Sequence, residues 1–261
     1  MMTVVIALVL VALGYYFGRT GIMTGNQSGK TQETILSAPS SLGYIAPKPL
    51  FTSKRDKYDV IDKFSAGVQV SYFRQLLGDP VYINYAENSD YREFIFVDPD
   101  FYVQLITDRN EKVLTFAVTS RVKDFNPPVG RFFGEKVVLN QTKFGDIPDD
   151  TYGSPEACHL FPGITAPSYY FEEYGFGYPG LYQTIYFGIN SAGYYPEERL
   201  PGTKPTDLGE TETCSEVDQD TRNDLTFNTY MVQHGDVPIG MDEEDSFIYG
   251  PRYTEVKTLN E

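Results

Sequence analysis

Two stretches of the chain, Tyr91–Val113 and Phe171–Gly193, align without a gap at a constant offset of 80, pairing Glu93/Glu173, Phe96/Phe176, Pro99/Pro179, Tyr102/Tyr182 and Asn110/Asn190. Aromatic richness alone raises chance matches, but it does not put a Pro and an Asn in step as well, so the chain reads as a tandem repeat. This limits what it can fold into. Each copy supplies the aromatic alternation of a strand pair, and a small sheet with one apolar face and few helical residues needs a sister unit to complete its burial. The expected equivalences are Tyr102 with Tyr182 on strands and Asn110 with Asn190 at turns.

Local pattern fills in the first copy. Tyr58, Ile61 and Phe64 recur at three-residue spacing until Gly67 breaks the run. Val70–Leu77 then places Phe73, Leu76 and Leu77 on one stripe, with Gly78 suited to a helix end and Pro80 forbidding continuation. Strands follow at Val81–Tyr85, Arg92–Val97, Tyr102–Thr107 and Val113–Thr119, the last two joined by the turn Asp108-Arg109-Asn110-Glu111. The second copy begins near Arg131 and offers Val137–Ile147 as a shortened helix. It continues with aromatic strands across Tyr169–Phe187, turning at Gly177-Tyr178-Pro179-Gly180, and a closing strand at Leu225–Val232 with Leu225, Phe227, Thr229 and Met231 on one side.

The chain opens on Met1–Phe17, which has no charged side chain and ends in Tyr15, Tyr16 and Phe17. Seventeen residues at about 1.5 Å each approach the thickness of a bilayer core. The stretch is expected to be a transmembrane helix, with a cleaved signal peptide as the competing reading. Arg19 and Lys30 follow the span, so the positive-inside rule puts the globular body in the cytosol. A periplasmic orientation stays open, because a single nearby Arg carries most of the argument. The two cysteines, Cys158 and Cys214, suit buried thiols as well as one disulfide.

The resulting organisation is α+β: a transmembrane helix over 1–19, a Ser/Gly/Pro-rich linker over 20–55, one helix-plus-antiparallel-sheet unit over 56–125, a divergent second over 126–240 carrying an acidic loop, and an acidic tail over 241–261. Residues 201–261 hold four Lys or Arg against fourteen Asp or Glu, a net of −10 within the total of −15. That distribution argues against nucleic acid as a partner, since phosphate binding needs a basic footprint.

Gly67 followed by Leu77-Gly78-Asp79-Pro80 and aromatic strands resembles the pattern of BamE/SmpA-like domains, which implies two helices on a small antiparallel sheet. Two such units with a period near 80 are similar to the architecture of β-lactamase inhibitory protein. The stretch Phe64–Thr119, with Phe101-Tyr102-Val103-Gln104-Leu105-Ile106-Thr107-Asp108, also resembles a family of bacterial single-span membrane proteins that implies no particular activity. The chain departs from the first pattern at Gln69, a poor helix cap, and in lacking a second Leu-Gly-x-Pro.

Residues able to carry chemistry are few. His159 and His234 have no metal-ligand spacing around them, so no metal or cofactor is expected. Asp218-x-Asp220-x-Arg222 starts like a calcium loop but puts Arg at the third ligand position. Glu172 and Glu173, adjacent on a strand, point to opposite faces and do not form an acid–base pair. Gly175-x-Gly177-x-x-Gly180 reads as a turn, because no helix follows it. The remaining signal is the aromatic excess. The chain has 21 Tyr, 18 Phe and no Trp, and Tyr170, Tyr174, Tyr178, Tyr182 and Tyr186 crowd into one short stretch. Because a sheet buries one face of such a run, these five are the candidate binding residues. Together these features point to a membrane-anchored, non-enzymatic protein that touches lipid through residues 1–17 and a protein partner through its sheet surface. A sensor of a small ligand or glycan, or a hydrolase built on the Tyr-rich unit, is the alternative.

Overall fold

A computed structural model describes residues 51, 53–85, 90–129, 137–147, 154–161, 169–176, 182–194, 214, 219–235, 237, 249–252 and 256. It begins with two short helices, α1 (Lys54–Ile61) and α2 (Val70–Leu77). Ser53 Oγ caps α1 by accepting from the Asp56 backbone N–H at 3.2 Å. Gln69 gives α2 no side-chain cap, and Gly78 ends it at φ 81°. The meander β1 (Tyr82–Tyr85), β2 (Tyr91–Val97), β3 (Phe101–Asp108) and β4 (Val113–Ser120) follows. A two-residue ladder pairs β5 (Pro128–Val129) with β6 (Val137–Val138). The second half holds β7 (Ala157–Phe161), β8 (Tyr169–Phe176), β9 (Gln183–Ile189), the six-residue helix α3 (Gln219–Asp224) and β10 (Thr229–Gln233).

All strands but β5 and β6 belong to one antiparallel sheet of order β1-β2-β3-β4-β10-β9-β8-β7. The expected pair of separate helix-plus-sheet units is thereby corrected, and the BamE-like description of 56–125 as a domain of its own falls with it. The cause lies at the centre. β4 and β10 pair over five positions, from Thr229↔Thr119 to Gln233↔Thr115, so the inner strand of neither half is left with unpaired backbone groups. The second half also lacks the expected helix. Within Val137–Ile147 the structure has only β6 and a 3-10 turn at Phe144–Asp146.

The aligned stretches turn out to be two hairpins of identical register. Tyr91 faces Asp108 and Glu93 faces Ile106 in β2–β3; Phe171 faces Gly188 and Glu173 faces Tyr186 in β8–β9. Leu105 opposes Phe116, its counterpart Ile185 opposes Val232, and Phe116 opposes Val232. An approximate two-fold axis therefore passes through the Phe116–Val232 pair. The two Asn do not match, however: Asn110 lies in the exposed β3–β4 turn, where Asp108 Oδ1 accepts its N–H at 2.8 Å, while Asn190 is fully buried.

One face of the sheet packs on α1 and α2 through Phe64, Phe73, Phe94, Phe116 and Val118, and on Leu139, Phe144, Leu225 and Phe227 in the second half. The other face is also covered. Val256 and Ala192 lie on Ile95 and Tyr102, and Tyr249 lies on Phe171, Tyr186 and Met231. Asn190 fastens this cover by donating from Nδ2 to the carbonyls of Tyr249 at 2.7 Å and Pro251 at 3.1 Å. Asn228 Oδ1 in turn accepts the Asn190 N–H, and its Nδ2 donates to the carbonyls of Asn190 and Tyr194. This clamp breaks the alternation expected over Leu225–Val232: Phe227 and Tyr230 both pack on the helix side, while Met231 lies on the other.

The membrane reading is corrected too. No helix among the described residues is long and apolar enough to cross a bilayer, since α1 and α2 have eight residues each, about 12 Å against a core of about 30 Å. The span expected at Met1–Phe17 and residues 20–50 of the expected linker lie outside the described residues, as does most of the acidic loop and tail, and the last linker positions, Lys54 and Arg55, instead open α1. The single-pass, cytosol-facing placement therefore has no support in the fold.

Candidate functional site

The five tyrosines do not form one platform. Tyr170 and Tyr174 are buried on the helix side of β8, Tyr186 is buried on the opposite face, and Tyr182 is 63% exposed just before β9. Tyr178 lies outside the described residues. The chain's period of two separates them: residues 170, 172 and 174 share a face of β8, and Glu172 stands between two phenols.

Glu172 is the centre of a dry polar cluster. It is 0% exposed and accepts four hydrogen bonds. Tyr170 Oη donates to Oε1 at 2.6 Å and Tyr174 Oη to Oε2 at 2.6 Å. Arg222 on α3 closes a fork, with Nε to Oε1 at 2.6 Å and Nη2 to Oε2 at 2.7 Å. The bidentate geometry satisfies the carboxylate without water. Burial, reinforced by the Glu172 charge, raises both phenols well above the ordinary tyrosine range. Burial alone would pull Arg222 down, but the Glu172 carboxylate outweighs it and holds the guanidinium above its usual value. With the phenols protonated and the carboxylate saturated, the cluster is built to hold its elements together rather than to transfer a proton.

The disulfide Cys158–Cys214, with Cα atoms 5.0 Å apart, lies against it, and Cys158 Sγ is 3.6 Å from Tyr170 Oη. Gln219 Nε2 donates to the Cys214 carbonyl at 2.7 Å, and Lys143 pairs with Asp224 at 2.8 Å. The segment that resembled a calcium loop thus has a structural task, since its Arg222 reaches the sheet. Sequence reasoning missed Arg222, and the only available signal was a cation in an otherwise acidic stretch.

On the opposite face Glu173 takes a different partner, His159 Nε2 at 3.1 Å. The His159 ring lies 5.0 Å from that of Tyr249, which stacks on Phe171 at 4.9 Å and 24°. Tyr186 Oη donates to Gln233 Oε1 at 3.4 Å. Burial, then the neighbouring Tyr249 and Glu173, raise the Tyr186 phenol above its ordinary range, and burial followed by Glu173 does the same to Tyr249. Near the β2–β3 turn, Lys57 pairs with Asp98 and, at 2.7 Å, with Asp100. Burial opposes the Lys57 charge, but the two carboxylates hold its pKa above the usual value.

Asn140 has a structural role. Asn140 has φ 59°, and its Nδ2 donates to Ser120 Oγ at 2.8 Å and to the carbonyls of Phe125 and Val122. Among the described residues no group of three His, Cys, Asp or Glu could hold a metal ion.

By fold and site, the described body is a single eight-stranded antiparallel sheet, covered on both faces and pinned by a disulfide and a buried ion pair. No protein-family model matches the chain, and no curated protein matches it. Among solved structures, a cysteine-rich secretory protein of Staphylococcus aureus subsp. aureus Mu50 aligns at 14% identity and a TM-score of 0.32, over 65% of this chain and 43% of that one. This chain therefore spans less than half of that protein's length.

Proposed function

We propose that the chain is a non-enzymatic binding protein that takes up a strand of a protein partner along the outer edge of β1, in an oxidising compartment. The carrying observation is the exposed apolar surface of that edge. Val81 and Tyr85 are 43% and 56% exposed, and β1 pairs with β2 on one side while no other described strand pairs with its outer side. An open edge offers main-chain hydrogen bonds, and alternate side chains supply selectivity. Arg92 lies 5.2 Å from the Tyr85 ring centroid and keeps that ring at the edge. The earlier expectation of capture on a sheet face is less well supported, because both faces are occupied. The small-ligand alternative has less support still, since the Tyr170 and Tyr174 hydroxyls are committed to Glu172. The oxidising compartment follows from the Cys158–Cys214 pair, because such bonds persist outside reducing cytosol.

Affinity capture with the tagged, disulfide-intact chain tests the reading. A stoichiometric protein partner should be recovered by the wild type and lost with Val81→Asp combined with Tyr85→Ser, both at exposed positions and thus compatible with folding. Equal recovery by the double variant would refute the edge as the binding surface.

A further inference from the structure

The approximate two-fold axis relates Ile95 and Tyr102 in the first half to Gly175 and Tyr182 in the second, and the two positions are finished differently. In the first half Ile95 and Tyr102 are both 0% exposed. Val256 and Ala192 cover them, and the Arg121 guanidinium lies over the Tyr102 ring, 4.7 Å from its centroid. Arg121 Nη1 also donates to the Asp98 carbonyl at 2.8 Å. In the second half Tyr182 is 63% exposed, and no guanidinium among the described residues lies over it. Gly175 has no side chain to match Ile95, and the Glu156 carboxylate lies where a Cβ would stand there.

We propose that the Tyr182 ring and the Glu156 carboxylate form a seat for an arginine side chain of a protein partner. Three features of the site select that occupant. The exposed ring presents the negative face on which a cation stacks, and the molecule uses the same arrangement internally at Tyr102. Glu156 is exposed and lies over Gly175, whose partner on β9 is Thr184, two residues from Tyr182, whereas Glu173, the next carboxylate on this face, is already engaged by His159. A planar guanidinium can stack on a ring and fork onto a carboxylate at the same time, which an ammonium cannot. The formal charge of −15 draws a basic segment toward this body and repels a second copy of the chain. The seat rests on the binding role proposed above only in assigning the arginine to a protein; it lies on the β8–β9 side of the sheet, and β1 is the opposite edge strand.

The test uses the full, disulfide-intact chain with 13C-labelled tyrosine rings, titrated with the blocked peptide acetyl-Gly-Arg-Gly-amide and with its uncharged citrulline counterpart. Tyr182→Leu identifies the Tyr182 ring signal, and circular dichroism checks that the variants fold. The Tyr182 signal should move saturably with the arginine peptide and stay still with the citrulline peptide. Glu156→Gln should weaken the response by about fivefold or more, as loss of one charge beside a cation–π contact implies. An equal response to citrulline, an unchanged response in Glu156→Gln, or no movement at high peptide concentration would overturn the seat. The β1 double variant separates the two proposals. If it loses partner capture but keeps the arginine response, both stand; if capture depends on β1 while the peptide moves nothing, the seat fails and the binding role remains.

Discussion

Replacing Arg222 by Met should destabilise the chain more than any other single change on its surface-facing segment, and a second mutation should partly undo the damage. Arg222 has a side-chain exposure of 14% and Glu172 of 0%, so removing the cation strands a carboxylate in a dry site. Breaking a buried pair from one side costs about 3–5 kcal/mol. The two tyrosine hydroxyls continue to donate to Glu172 at 2.6 Å each, which keeps the expected loss near the lower end, about 3 kcal/mol. Adding Glu172→Gln removes the stranded charge while leaving one acceptor and one donor for the two phenols. The double variant should therefore be more stable than Arg222→Met alone by about 1–2 kcal/mol, even though Glu172→Gln alone destabilises the wild type. Urea unfolding with the disulfide intact reads both changes as midpoint shifts at constant slope. A loss below about 1 kcal/mol in Arg222→Met, or a double variant weaker than the single, would refute the buried-charge reasoning.

Three further outcomes follow from the same structure. Tyr170, Tyr174, Tyr186 and Tyr249 all have pKa values raised above the ordinary 10 in the folded chain, so their contribution is complete below pH 10 and is lost as the pH rises beyond it, where unfolded phenols ionise. Stability should drop by about 1 kcal/mol per phenol by pH 11, and tyrosinate absorbance should show these four titrating only on unfolding. Converting Cys158 and Cys214 together to Ala opens a loop with a sequence separation of 56 and should cost up to about 4 kcal/mol, measured as a fall in urea midpoint. In Gly188→Ala the new methyl would collide with the Phe171 ring; overpacking of this kind costs about 1–3 kcal/mol, visible as a lowered Tm, and an unchanged Tm would mean the ring moves freely.

Much of the first half was legible because its signals are local. Helix stripes such as Phe73, Leu76 and Leu77, the Gly78 stop, and the alternation of β2 to β4 depend on neighbours four or fewer residues away. The second half was less legible. Val137–Ile147 has the pattern of a shortened helix, but its backbone is held by distant groups: the Asn140 N–H donates to the Phe227 carbonyl and the Phe144 N–H to that of Leu225. The density of tyrosines between Tyr170 and Tyr186 says that some must be exposed but not which. Partners far along the chain decided that, placing Tyr170 and Tyr174 against Arg222 and leaving Tyr182 open.

The sequence by itself determined the strand and helix positions of the first half, the hairpin repeated at an offset of 80, the opposite facing of Glu172 and Glu173, and the net acidic charge. Each of these follows from backbone periodicity or from adding charges. Tertiary structure alone decided that the two halves share one sheet, that Cys158 meets Cys214, and that Arg222 and Asn190 reach across the fold to Glu172 and to the chain at Tyr249 and Pro251. The physical reason is that β4 and β10 carry no local mark of each other. Their pairing, and every contact that depends on it, is selected by the backbone groups and buried charges that any alternative arrangement would leave unsatisfied.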